Sequence, residues 1–253
     1  MTKNEIALSL KNISKSFINI KALDNISMDF NRGKITALVG DNGAGKSTII
    51  KIISGVLKPD CGEIIIDGIS LKYLTTKQAI NYGISTVYQD LSLGDTMDVV
   101  SNIFLGREIT KLGFLNKNKM KDKATKVLND LDINIPALDV PVGSLSGGQR
   151  QGIAVARLLN NEGKVFIFDE PTAAMGITES EAVLSLIRKL SFNGYTVILV
   201  SHNIMQVVDI SDYIYVLKNG KISEKIINDD TVDLKMIIEY ITDGGKILNE
   251  GGE

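Results

Sequence analysis

Cys61 is the chain's one cysteine among 253 residues. An intrachain disulfide framework and a multi-thiol metal site are thereby excluded, and a reducing compartment is the simplest setting. The chain also lacks an excess of either charge: 28 basic residues face 30 acidic ones, leaving a net charge of −2 and an isoelectric point of about 5.6. A protein whose main task is to neutralise nucleic-acid phosphates carries a basic surplus, so no nucleic-acid partner is expected, although a local basic patch can still exist. Long apolar runs are missing as well. No window reaches the roughly 18 uninterrupted apolar residues of a spanning helix, and Met1-Thr2-Lys3-Asn4-Glu5 has no apolar signal-peptide core. Any membrane association is expected to come through a partner. What is present is a hydrophobic fraction of 44%. At this length it buries roughly 70–75% of the unfolded surface, which excludes wholesale disorder and suits one α/β domain with an insertion.

Short β-branched runs alternate with helical patterns, the mark of a mainly parallel sheet covered by helices. The clearest strands are 35–39, 165–168 and 196–200, each followed by small or polar residues. In such sheets ligands sit beyond the strand C-termini. Alternation at 7–10 and 23–30, with a turn at Asn31-Arg32-Gly33, predicts an N-terminal antiparallel layer. A helix is expected over 178–192, with Thr178 and Glu181 as a capping box and Val183, Leu184, Ile187 and Leu190 on its core face. From about 90 to 160 strand signals give way to helical ones, which predicts an inserted helical subdomain between core segments 1–89 and 161–242, with a frayed tail at 243–253. Lys117, Lys119, Lys121, Lys123 and Lys126 face only Asp122 within that insertion. They read as a solvated helix face or as a contact with lipid headgroups or a partner.

Three motifs carry chemistry. Gly40-Asp41-Asn42-Gly43-Ala44-Gly45-Lys46-Ser47, followed by Thr48, fits a phosphate-binding loop and stands between a strand and a helical pattern. That placement aims backbone N–H groups and a helix N-terminus at phosphate oxygens, with Lys46 for the β- and γ-phosphates and the Ser47 hydroxyl for Mg²⁺. Asp169 and Glu170 follow an apolar strand. Alone they read equally as a helix-capping pair; beside a phosphate loop, Asp169 suits the Mg²⁺ shell and Glu170 the orientation or deprotonation of water. Leu145-Ser146-Gly147-Gly148-Gln149 opens a helical pattern whose N-terminus attracts anions, with Ile153, Ala156 and Leu159 on its buried side.

This last motif resembles the signature of the ATP-binding cassette family, and the resemblance spans essentially the whole chain. It implies a phosphate-loop NTPase fold, with ATP and Mg²⁺ as cofactors and ATP hydrolysis as the activity. Residue by residue it implies nucleotide contacts from 40–48, with Asp169 in the Mg²⁺ sphere and Glu170 as the catalytic glutamate. Gln89 corresponds to the lid glutamine that senses Mg²⁺ and the attacking water. Phe17 stands where the family stacks an aromatic side chain on adenine, although a strand aromatic that merely packs is the plain alternative. His202 is the chain's only histidine and holds the position of the γ-phosphate switch. Because Ser146, Gly147, Gly148 and Gln149 close on the ATP of another copy in the family, the resemblance implies a homodimer.

The stretch Ala173-Ala174-Met175-Gly176 departs from the usual Ser-Ala-Leu-Asp, so the aspartate that crosses the dimer interface is absent. That departure, with 40–42, 88–91 and 102–108, resembles the carbohydrate-uptake branch, above all ribose- and fructose-type importers. The implied partners are integral membrane permease subunits and, indirectly, an extracytoplasmic sugar-binding protein, with the chain at the cytoplasmic face of the membrane. A soluble switch of the same fold is the alternative. A guanine-specific GTPase is disfavoured because Asn118-Lys119-Met120-Lys121 does not supply Asn-Lys-x-Asp.

Overall fold

The computed structural model describes residues 5–88, 90–111, 113–160, 162–173, 175–229 and 232–242. Two long strands, β1 (Ile6–Phe17) and β2 (Ile20–Asn31), pair antiparallel. After Gly33 at φ 63° come β3 (Ile35–Gly40), α1 (Lys46–Ile53), β4 (Cys61–Ile66), β5 (Ile69–Leu71), α2 (Thr76–Asn81) and β6 (Ile84–Val87). The antiparallel layer has the order β2-β1-β4-β5, two strands more than the sequence pattern predicts. In β4 only Ile64 and Ile66 are buried, so its apolar signal is short.

Next come α3 (Val99–Phe104), β7 (Thr110–Lys111), β8 (Phe114–Leu115), α4 (Lys117–Asp130), a 3₁₀ turn (Val142–Ser144) and α5 (Gly147–Asn160). The β7-β8 hairpin and an antiparallel bridge between Asp98 and Pro141 depart from an all-helical insertion. The hairpin's two-residue strands, turning at Gly113 with φ 84°, are too short to leave a periodic trace. The chain closes with β9 (Val165–Asp169), α6 (Ile177–Phe192), β10 (Thr196–Val200), α7 (Ile204–Ile210), β11 (Tyr213–Lys218), β12 (Lys221–Ile227) and α8 (Leu234–Thr242). The expected tail at 243–253 lies outside the described residues.

The second sheet has the order β12-β11-β3-β10-β9-β6 and is parallel apart from the β11-β12 pair. Its central strands read as unbroken apolar runs because both faces are covered. Val165, Ile167, Ile198 and Val200 point toward α1 and the antiparallel layer, whereas Phe166, Phe168, Val197 and Leu199 point toward the helical side. The helical insertion is the crossover between β6 and β9, which lie side by side with Ile84 opposite Val165.

One local expectation is corrected. Helix α6 begins at Ile177 behind Gly176, with no side-chain cap, so Thr178 and Glu181 do not form the anticipated box. Its predicted core face stands: Val183, Leu184, Ile187 and Leu190 are all buried.

Candidate active site

Strand β3 is fully buried until Gly40 and delivers the chain into the phosphate loop at the sheet's C-terminal edge. Gly40 has φ 144°, and a Cβ there would lie 2.2 Å from the Leu217 carbonyl oxygen on the neighbouring strand. Gly43, at φ 82°, has nothing within 4 Å of its missing Cβ, so the loop's outer edge is open to a ligand. Gly45 ends the loop at φ 111° directly before α1. The loop is held by Ala44 N–H donating to Asp41 O at 3.1 Å and Gly220 N–H donating to Ala44 O at 3.1 Å.

Lys46, at the head of α1, folds back so that Nζ donates to the carbonyls of Gly40 at 2.6 Å and Asp41 at 2.9 Å. Burial holds its ammonium below the usual lysine range, against the opposing pull of Glu170, Asp41 and Asp169. Ser47 is exposed on the first turn of α1. Asp41 and Asn42 are exposed too, and Thr48 is half-buried.

Parallel register places Asp169, the last residue of β9, opposite Val200. Burial first, and then the neighbouring Glu170, push its carboxyl above the ordinary 3.8, while Lys46 and Lys51 pull it down. Glu170 sits at φ 52° and donates its N–H to Val200 O at 2.9 Å. A cleft of about 330 Å³ joins Ala22, residues 42–48, Asp169, Glu170 and Val200. The phosphate loop and the carboxylate pair therefore share one opening.

His202 comes off the end of β10 and meets Glu170 rather than the phosphate loop. Its Nδ1 lies 2.8 Å from Glu170 Oε2, its N–H donates to the same oxygen at 3.4 Å, and its side chain remains 74% exposed. Glu170 also lines a second cleft, of about 830 Å³, together with His202, Met175 and Gln206. The glutamate is thus shared between the two openings.

Ser146 caps α5 reciprocally: Gln149 N–H donates to its Oγ at 3.3 Å, and Ser146 N–H donates to Gln149 Oε1 at 3.1 Å. Gly147 N–H donates to Glu179 Oε1 at 3.2 Å, so a carboxylate from α6 already sits at this helix N-terminus. Ser146, Gly148 and Gln149 line a separate cleft of about 430 Å³ with Asp132 and Lys189. It shares no residue with the phosphate-loop cleft, so one chain does not bring the two motifs into one opening.

Phe17 is 45% exposed at the tip of the β1-β2 hairpin, with Lys15 Nζ 5.7 Å from its ring centre. Ala22, shortly after that tip, lines the phosphate-loop cleft, which brings the hairpin to its rim. Gln89 lies outside the described residues, as does Ala174 in the departing stretch.

The model of the family described as "ABC transporter" matches residues 23–173, a span that includes the phosphate loop, the signature helix and the carboxylate pair. The chain belongs to the ABC transporter family. The chain is 47% identical over 215 residues to the xylose/arabinose import ATP-binding protein XylG of Sulfolobus acidocaldarius, covering 85% of this chain and 86% of that one. It is 39% identical over 246 residues to the ribose import ATP-binding protein RbsA of Hahella chejuensis, covering 96% of this chain and 48% of the relative, so it spans about half of that longer protein. A solved dimeric, post-hydrolysis ATP-binding cassette bound to ADP and Pi matches with a TM-score of 0.73 and 27% identity over 88% of this chain and 99% of that one.

The ABC cassette's site suits a nucleotide with Mg²⁺. Among the described residues no cluster of three or more His, Cys, Asp or Glu side chains stands ready to hold a metal by itself. Mg²⁺ characteristically binds through one or two protein oxygens plus substrate phosphates, and Ser47 and Asp169 supply such a pair. The half-buried Asp169 carboxyl, disfavoured as an anion by its surroundings, is a group that gains from a cation.

Two residues take roles that no sequence motif assigns to them. Arg157 on α5 donates Nη1 to Ser92 O at 3.0 Å and Nη2 to Leu91 O at 2.8 Å, clamping the segment that follows Gln89. Asn102, fully buried on α3, accepts from Gly94 N–H at 2.8 Å and donates Nδ2 to the carbonyls of Gly94, Met97 and Asp98. The available signal is a polar residue inside an apolar run, as in Val155-Ala156-Arg157-Leu158 and Val100-Ser101-Asn102-Ile103.

Proposed function

We propose that the chain is the ATP-hydrolysing subunit of a monosaccharide importer, working as a head-to-tail homodimer against partner permease subunits. The observation that carries this reading is the division of labour between clefts. Lys46, Asp169 and Glu170 converge on one and Ser146, Gly148 and Gln149 line another; a head-to-tail pair of copies would unite them. The importer names of the relatives favour transport over a permease-free switch, and sugars as the cargo class.

In this reading Lys46 exchanges the carbonyls of Gly40 and Asp41 for the β- and γ-phosphate oxygens, while the backbone N–H groups of 42–48 cradle the remainder. Ser47 and Asp169 would hold Mg²⁺, joined by Gln89 from the lid. When bound, the ion neutralises charge that develops on the phosphate oxygens. Glu170 orients or deprotonates the attacking water. His202 fixes the glutamate through Nδ1 and Oε2, and as the imidazolium it also donates from its other ring nitrogen toward the transferring group. Phe17 stacks on the adenine at the cleft rim. From the partner copy, Ser146, Gly147 and Gly148 cap the triphosphate, displacing Glu179 from Gly147 N–H.

Among the described residues no helix is long and apolar enough to cross a membrane. The proposed place at the cytoplasmic face is therefore peripheral, through the permease, with a sugar-binding protein on the far side. Reconstitution of the chain with a candidate permease, its binding protein and sugar tests the assignment. Turnover should rise only when all three are present; turnover indifferent to every combination would refute import while leaving the ATPase intact.

A further inference from the structure

The segment 105–126 carries seven cationic side chains against two carboxylates, in a chain whose net charge is −2. Nothing in the nucleotide site uses them. All five α4 lysines are exposed, and none lies within ion-pair distance of a carboxylate among the described residues. Met120, Ala124 and Leu128 tie α4 to the core, and Lys119, Lys123 and Lys126 lie together along one exposed flank of the helix, with Asp122 and Asp130 beside them.

Directly before α4 stands the β7-β8 hairpin, whose second strand is apolar and exposed. Phe114 is 80% exposed and Leu115 53%. Asn116 N–H donates to Ile109 O at 2.7 Å, and its Oδ1 accepts from Lys119 N–H at 3.1 Å. The apolar strand is thereby joined without slack to the lysine helix. Arg107 and Lys111 flank the same hairpin and are exposed.

We infer that β8 and α4 form a contact surface for the anionic headgroup layer of a lipid bilayer, with Phe114 and Leu115 entering the interface and the lysines lying over the headgroups. Clustered lysines next to exposed apolar side chains are the pairing that interfacial binding requires. A single-stranded nucleic acid stacks successive bases on several aromatic faces, whereas here Phe114 stands between the exposed aliphatic Leu105 and Leu115 as the one exposed aromatic of the segment among the described residues. The α4 cations are all lysines. Compact point charges suit a diffuse anionic layer, whereas a discrete carboxylate or phosphate partner favours the bidentate arginine fork. The inference goes beyond the import reading and does not need it, because the chain alone is the test object.

The experiment is flotation of the full chain with vesicles of phosphatidylcholine alone and of phosphatidylcholine mixed with phosphatidylglycerol, at low and high salt. The chain should float with the anionic vesicles only, and less so as salt rises. Lys119→Glu with Lys123→Glu and Lys126→Glu should lower partitioning about tenfold or more. Phe114→Ser with Leu115→Ser should lower it as well, and both variants should keep wild-type melting and basal ATPase activity. Absence of anionic-vesicle binding, or binding unmoved by either variant, would overturn the proposal. So would a variant that loses co-purification with a permease while the wild type ignores vesicles, since that outcome assigns the patch to a protein partner.

Discussion

Replacing Arg157 with methionine keeps the length and apolar stem of the side chain while removing both donors to the segment after Gln89. The guanidinium is half-buried, and burial pushes its pKa below the usual arginine value; arginine's intrinsic basicity still keeps it charged, so its contacts are charge-assisted. A hydrogen bond to a charged group contributes about 1.5–3 kcal/mol. Ser92 is exposed and its carbonyl can turn to water, whereas Leu91 is half-buried and its carbonyl is left without this donor. The expected loss is therefore about 2–3 kcal/mol, nearer to one such contact than two. For a chain of this size that corresponds to a fall in melting temperature of roughly 4–12 °C. Because the clamp ends two residues from Gln89, kcat should fall about tenfold with little change in KM for ATP, as expected for a misplaced positioning element. Arg157→Lys should restore part of both, since one ammonium reaches one carbonyl but lacks the fork. Thermal unfolding and steady-state ATPase assays read these effects. An Arg157→Met protein with wild-type melting and wild-type kcat would refute the reasoning.

Gly40→Ala and Gly43→Ala should separate folding from binding within one loop. The first drives a Cβ to 2.2 Å from Leu217 O and should cost at least about 3 kcal/mol, while the second meets nothing within 4 Å and costs about 1–2 kcal/mol for its positive φ. Melting should therefore collapse only for Gly40→Ala, and isothermal titration should find weakened nucleotide binding in the folded Gly43→Ala protein. Asp169→Asn should raise the nucleotide-free melting temperature at neutral pH and abolish hydrolysis. The folded pKa lies above the ordinary 3.8, so the aspartate's cost is full above the raised value and vanishes as pH falls below 3.8. The stability gap between variant and wild type should close over that acid range, and a gap independent of pH would contradict the assignment.

The parallel sheet is legible in the sequence because β3, β9 and β10 are buried on both faces and so read as continuous apolar runs. The motifs at their C-terminal ends are legible for the same reason: strand, loop and carboxylates fall in fixed order. Strands β4 and β5 left a weaker trace, since only alternate residues of β4 face the core. The start of α6 differs from the pattern because Thr178 and Glu181 satisfy the capping-box spacing, yet Gly176 holds the N-cap position ahead of Ile177 and Glu179 turns to Gly147. The pairing of His202 with Glu170 and the grip of Arg157 on Leu91 and Ser92 join residues 32 and more than 60 positions apart. No local pattern encodes such distances; they follow from the register of β9 against β10 and from the packing of α5 near the end of β6.

In the proposed cycle two copies pair around nucleotide, each closing its signature helix over the phosphate loop of the other. The most direct test of this pairing is the molar mass of the Glu170→Gln protein by size-exclusion chromatography with light scattering, with and without Mg-ATP. A dimer should appear with Mg-ATP, disappear when Ser146→Arg blocks the helix N-terminus, and hold two nucleotides. A Glu170→Gln chain that binds Mg-ATP at saturation and remains monomeric would contradict it.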